Sequence, residues 1–187
     1  MTMPSIDQSA DLAARRAALA AAEPGLRVRD QAARLGVSEG ELVASGIGGN
    51  VILLDAEPGD LIRAVESLGP VMALTRNEHA VHEIVGTYGN VSLGAHAGLV
   101  INKPIDLRLF LNRWFASLVV EEARGDTKLS SLQFFDRHGV AMHKIYLRPE
   151  SDRAAWAALI EAKRAAVQAP PAFEPAPEVD GIPAEAP

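Results

Sequence analysis

The chain contains no cysteine. This one absence excludes a disulfide framework, a zinc ribbon and an iron–sulfur cluster, so any metal chemistry falls to histidine, tyrosine or carboxylate side chains. No window approaches the roughly 18 consecutive apolar residues that a membrane-spanning helix requires, which predicts no membrane insertion. Cationic surplus is also lacking. The formal net charge is −6, which argues against nucleic acid as a partner, because tight nonspecific binding displaces counterions with lysine and arginine. No GxGxxG or GxxxxGK[ST] phosphate loop, no GxSxG nucleophile elbow and no internal repeat is found, so nucleotide and serine-hydrolase readings lose their main support. The first residues carry acids before the arginines and no apolar stretch of secretory type. The expectation is a cytoplasmic protein.

What is present fits one globular unit, with 187 residues of which 48% are hydrophobic. From Asp7 to Ala22 the chain is almost entirely Ala, Leu, Arg and acidic residues, closed by Pro24-Gly25, and this predicts a weakly packed N-terminal helical extension over 1–25. The segment VRDQAARLGVSEGELVASG predicts two short helices about Gly36, with Ser38 and Glu41 at capping-box spacing. Such a pair resembles a helix-turn-helix. Its second helix carries glutamates and no side chain suited to phosphates, so a packing hairpin is the better reading.

Val51–Leu54 predicts a strand, and Asp60–Leu68 a helix closed by Gly69-Pro70. From Val71 to Leu147 β-branched and aromatic residues dominate, and turn signals divide the region into VMALTRN, HAVHEIVG, NVSLGAHAGLVI, NRWFASLVVEE, LSSLQFFD and VAMHKIYL. Consecutive strands with short links predict a large antiparallel sheet. Ser151 to Val167 predicts a closing helix with Ser151 as its N-cap. The remainder, 169–187, holds half of the chain's 12 prolines and predicts a disordered tail. The fold class is therefore α+β: N-terminal helices, a large antiparallel β-sheet and a closing C-terminal helix, with the main domain over 26–168.

Polar candidates concentrate in TRNEHAVHEIVGTYGN, residues 75–90. His79 and His82 are three apart, so they share a face on a helix but point apart on a strand. Val81, Ile84 and Val85 favour a strand or a loop entering one. A metal site of His79, His82, Glu78 and Glu83 is the alternative, although HEIVG is not HEXXH. Arg108 lies among Leu107, Leu109, Phe110 and Leu111 and needs an anionic partner, whether Asp106 or a bound carboxylate. His96 stands among small residues that allow close approach. His138 and His143 are expected in turn or surface positions, and Tyr88 and Tyr146 as packing residues with solvated tips.

The blocks ALTRNEHAVHEIVGTYGNVSLGAHAGLVI, DLRLFLNRW, SLQFFDRHG and HKIYL occur in one order. In that order they resemble the HemS/HmuS/ChuS family of bacterial haem-utilisation proteins, also called hemin-degrading factors. The resemblance covers roughly Leu26 to Ala166 and corresponds to the N-terminal half of a two-halved architecture with haem in the cleft between halves. It implies a haem-binding protein of haem uptake and iron acquisition. Such a protein carries haem or degrades it by an oxygenase-type activity. The resemblance also implies a haem-uptake permease or a reductase as partner. By matching residues, it assigns His82 as a ligand of the haem iron and Arg108 as a propionate contact. The family's principal axial histidine belongs to the second half and has no counterpart here. The resemblance therefore implies a homodimer or a complementary second half, or else a noncatalytic half-domain that binds haem only with such a partner.

Overall fold

The computed structural model describes residues 6–77, 79–94, 97–124 and 127–176. Glu78 and His96 lie outside the described residues. Three helices open the chain: α1 (Ile6–Ala22), α2 (Val28–Leu35) and α3 (Glu39–Ala44). Gly36 ends α2 in the left-handed region, at φ 70°, where a side chain would be strained. The expected capping box forms at the start of α3: Ser38 Oγ accepts from Glu41 N, and the Glu41 carboxylate accepts from Ser38 N. The N-terminal helix α1 is held to the rest by Arg15, which donates to Leu35 O, and by an Arg16–Glu122 ion pair of 3.7 Å.

After β1 (Val51–Leu54) and α4 (Pro58–Val65), extended by a single 3-10 turn (Glu66–Leu68), come β2 (Pro70–Arg76) and β3 (Val81–Thr87). The expected single strand over 90–101 is instead a tight hairpin. Gly94 donates to Ala97 O, and β4 (Ser92–Leu93) turns back into β5 (Gly98–Ile101). The DLRL segment, whose conformation the pattern left open, is β6 (Asp106–Leu109) and pairs with β5. Leu111–Arg113 then form a 3-10 turn, so β7 (Ala116–Arg124) starts later than composition suggests. It is followed by β8 (Thr127–Phe135), β9 (Ala141–Leu147) and α5 (Arg153–Lys163).

The strands form two sheets. Six are ordered β1-β7-β8-β9-β2-β3, every pairing antiparallel, and three are ordered β4-β5-β6. Strand alternation gives the large sheet two dry faces. On one, Leu118, Val120 and Phe135 pack against Val43 and Ala44 of α3. On the other, Val119, Leu132, Phe134, Ile145 and Val71 meet Leu61 and Ile62 of α4, Trp156 of α5, Val100 and Leu109 of the small sheet and Ile105 of the link between β5 and β6. Helices thus cover one face, while helices and the small sheet cover the other. This is the α+β architecture expected.

Two local expectations are corrected. The cap of α5 is Asp152, whose carboxylate accepts from Ala154 N and Ala155 N, whereas the Ser151 hydroxyl donates to Pro70 O and ties the helix to β2. The helix ends at Lys163 because the chain turns extended to bridge β1: Ala165 N donates to Leu53 O, and the Gln168 amide both donates to and accepts from the Leu53 backbone. Nor does a disordered tail begin at 169. Phe173 packs edge-on against Phe115 and Phe135, Glu174 N donates to Arg137 O, and His138 Nδ1 bonds Pro175 O. One aromatic ring with an apolar slot to enter outweighs the proline-rich composition around it.

Candidate functional site

Residues 75–90 run from the end of β2, around a turn, into β3. Asn77 builds the turn, its Oδ1 accepting from both His79 N and Ala80 N. His79 is therefore a turn residue and His82 a strand residue, and the two do not converge. No group of three His, Asp or Glu side chains positioned for a metal ion is found among the described residues.

His82 sits on β3, an edge strand of the large sheet, directly opposite Thr75 in the register. Directly opposite residues of an antiparallel pair share a face, so His82, Thr75 and the core-facing Ile84 lie on the same side. The imidazole is exposed and has no hydrogen-bond or ion-pair partner among the described residues. Edge position leaves it open to an external ligand.

Arg108 lies on the second sheet. Along β6 burial alternates: Leu109 faces the core and Leu107 is half-buried, while Asp106 and Arg108 are exposed. In register, Arg108 opposes Leu99 and Asp106 opposes Ile101, so these four share the outer face. Ile101 is 51% exposed there, and Phe110, just beyond the strand, is 55% exposed. The guanidinium makes no ion pair with Asp106 or with any other described residue. An unpaired cation flanked by exposed apolar side chains suits a flat, mostly apolar ligand with a carboxylate at its edge. His82 and Arg108 belong to different sheets, and the structure shows no contact between them.

In AMHKIYL one residue departs from the turn or surface position expected of it. His143 alternates with Ile145 and Leu147, and all three face the core. It is 2% exposed rather than at the surface. Tyr88 Oη lies 2.6 Å from its Nε2 and Thr75 Oγ1 3.0 Å from its Nδ1. Trp114 stacks on its ring at 6.0 Å. The Tyr88 tip is thus buried and not solvated. Burial pushes the His143 pKa from 6.5 down to about 4, partly opposed by a bond to the Leu74 backbone, and pushes the Tyr88 phenol up. Tyr146, on the helix side of the sheet, is raised to about 12 by burial, with the nearby carboxylates of Glu122, Glu39 and Glu83 adding to the effect.

A cavity of about 800 Å³ opens elsewhere, between the α2–α3 hairpin, the 136–140 turn and the 173–176 segment. Its walls carry both charges, Arg29 and Arg76 with Glu39, Glu41 and Glu174, and neither candidate side chain, His82 or Arg108, is among them.

Comparison with known proteins places this geometry in a family. The model of the "Haemin-degrading HemS.ChuX domain" matches residues 36–162. The chain belongs to the HemS family. It is 44% identical over 141 residues to hemin transport protein HmuS of Yersinia pestis, covering 75% of this chain and 41% of that protein. Among solved structures it is similar to holo-PhuS, a heme-binding protein from Pseudomonas aeruginosa. That match has a TM-score of 0.83 and 46% identity, over 87% of this chain and 47% of the other. The heme-degrading enzyme ChuS of Escherichia coli O157:H7 matches with TM-score 0.85 and 33% identity, over 92% of this chain and 52% of the other. The chain therefore spans about half the length of these HemS-family relatives.

Proposed function

We propose that this HemS-family chain binds haem for haem utilisation. In this reading His82 ligates the iron and Arg108 pairs with a propionate. The observation that carries the reading is the outer face of the small sheet, where Arg108 stands without a counter-ion beside exposed Ile101 and Phe110. The unpartnered imidazole of His82 on the neighbouring edge strand supplies a second donor of the right chemistry. A neutral imidazole suits iron, a guanidinium fork suits a carboxylate, and apolar side chains suit a macrocycle. Haem would bring the iron that activates oxygen, while this chain would bind it, orient it and shield one side from water.

The relatives are about twice as long, so this reading calls for an opposite wall of such a site beyond these residues. A second copy of this chain or a complementary half would provide it. In the alternative reading the chain is a noncatalytic half-domain that binds haem only with that partner, and the half-length match favours keeping it in view.

Hemin titration followed at the Soret band tests the proposal. A saturable red shift is expected, lost in His82→Ala and weakened in Arg108→Ala without change of band position. A shift unchanged by His82→Ala refutes the ligand assignment, and no saturable shift at any protein concentration refutes haem binding by this chain alone. Light scattering with and without hemin separates a haem-linked dimer from a half-domain awaiting a partner. Incubating the complex with ascorbate and looking for a biliverdin-like product then separates degradation from carriage.

A further inference from the structure

The cluster beneath Thr75 does something that burial alone does not require. A buried phenol needs one hydrogen-bond acceptor, and a backbone carbonyl suffices. Tyr88, 1% exposed, instead meets the ring nitrogen of a histidine that is itself 2% exposed, at 2.6 Å. Thr75 of β2 lies 3.0 Å from Nδ1, so the Nδ1 edge of the ring faces that strand. The buried Tyr88 hydroxyl has no other hydrogen-bond partner among the described residues, so with the phenol assigned as donor, Nε2 presents its lone pair to it and the proton of the neutral ring sits on Nδ1, toward Thr75 Oγ1. Trp114 is half-buried and stacks on the imidazole with an interplanar angle of 29°, leading from the cluster toward the surface.

This geometry has a specific chemical competence. Removing an electron from a phenol makes it a very strong acid, so in a dry interior the electron leaves only if a base takes the proton at the same moment. Nε2 is such a base, already in hydrogen-bonding contact.

We propose that Tyr88 and His143 form a one-electron donor site, in which Tyr88 is oxidised to a neutral phenoxyl radical as its proton passes to His143 Nε2. The Tyr88 O–H bond breaks, an N–H bond forms at Nε2, and one electron passes, through Trp114, to a one-electron oxidant. The resulting imidazolium is held at Nδ1 by Thr75 Oγ1. A reductant such as ascorbate returns the electron, and the proton moves back to the phenol oxygen. The biological oxidant, a haem iron reacting with peroxide, rests on the haem reading above, but the donor site itself does not.

The chain has two tyrosines, Tyr88 and Tyr146, which makes the test direct. The haem-free protein is illuminated with tris(bipyridine)ruthenium(II) and persulfate, which generates a ruthenium(III) oxidant, then frozen and examined by electron paramagnetic resonance. In Tyr146→Phe, where Tyr88 is the sole tyrosine, a neutral tyrosyl signal is expected, with an exchangeable proton coupling from the His143 bond that disappears in deuterated buffer. Tyr88→Phe is expected to lose that signal. No tyrosyl signal in Tyr146→Phe, or a radical residing on tryptophan alone, overturns the proposal. Because no haem is present, failure here leaves the hemin titration untouched, and failure of that titration leaves this experiment untouched.

Discussion

Acidification should weaken the fold through His143 in particular. The folded protein holds this imidazole neutral with a pKa of about 4, against 6.5 for the ordinary group, because charging it in the dry interior is costly. The unfolded chain takes up the proton as pH falls below 6.5, and the folded chain does so only near 4. The stabilisation is therefore complete above about pH 6.5 and is lost progressively as pH falls from there to about 4. A fall of that size corresponds to roughly 3 kcal/mol, a substantial part of a typical domain's stability of about 5–15 kcal/mol. Urea unfolding of wild type and His143→Gln across this range checks it. Glutamine removes the titration while keeping groups that bond Tyr88 and Thr75, so the difference between the two pH series isolates the histidine. Parallel series would refute the reasoning, as would a wild-type His143 ring resonance that titrates with a midpoint above 6.

The other predictions concern the segments that brace the fold. Phe173→Ala removes a ring lodged against Phe115 and Phe135; partial exposure scales a full Phe→Ala loss down to roughly 2 kcal/mol, measurable by urea unfolding, and an unchanged midpoint would mean that residues 169–176 contribute no packing. Gly139 sits at φ 75° in the 136–140 turn, and an added Cβ would fall on the Ser38 hydroxyl. Gly139→Ala should therefore combine backbone strain with a damaged helix cap and cost about 2–3 kcal/mol by thermal or urea denaturation. A loss no larger than that of Ser38→Ala would show that the turn moves freely away from α3.

Local chemistry made much of this fold legible before any coordinates. The Ser38–Glu41 spacing specifies its capping box because both partners lie within one helical turn. The apolar spacing of Leu61, Ile62 and Val65 specifies the buried face of α4 in the same way. Alternation and turn residues sufficed for the long antiparallel strands β7, β8 and β9, whose partners are close in sequence. The identities of His82 and Arg108 as candidates were likewise available from sequence. A histidine next to β-branched residues and an arginine among leucines each stand out against their neighbours.

What tertiary structure alone decided are the relations between segments far apart in the chain. The pairing of Tyr88 with His143 spans 55 residues and that of Thr75 with His143 spans 68. They arise because the sheet order brings β9 beside β2, although β3 to β8 lie between them in the chain. No local propensity encodes that neighbourhood. The same holds for the segment after α5. Its prolines favour a free chain, but β1 is an edge strand with unpaired backbone groups, and Gln168 and Phe173 find partners only once that edge and the slot beside Phe135 exist. The placement of Arg108 on the outside of a second sheet depends on a hairpin at Gly94 that redirects the chain over the first. Sequence determined which side chains are chemically suited to a ligand. The fold decided that His82 and Arg108 remain accessible and that His143 is sealed in the core against Tyr88, Thr75 and Trp114.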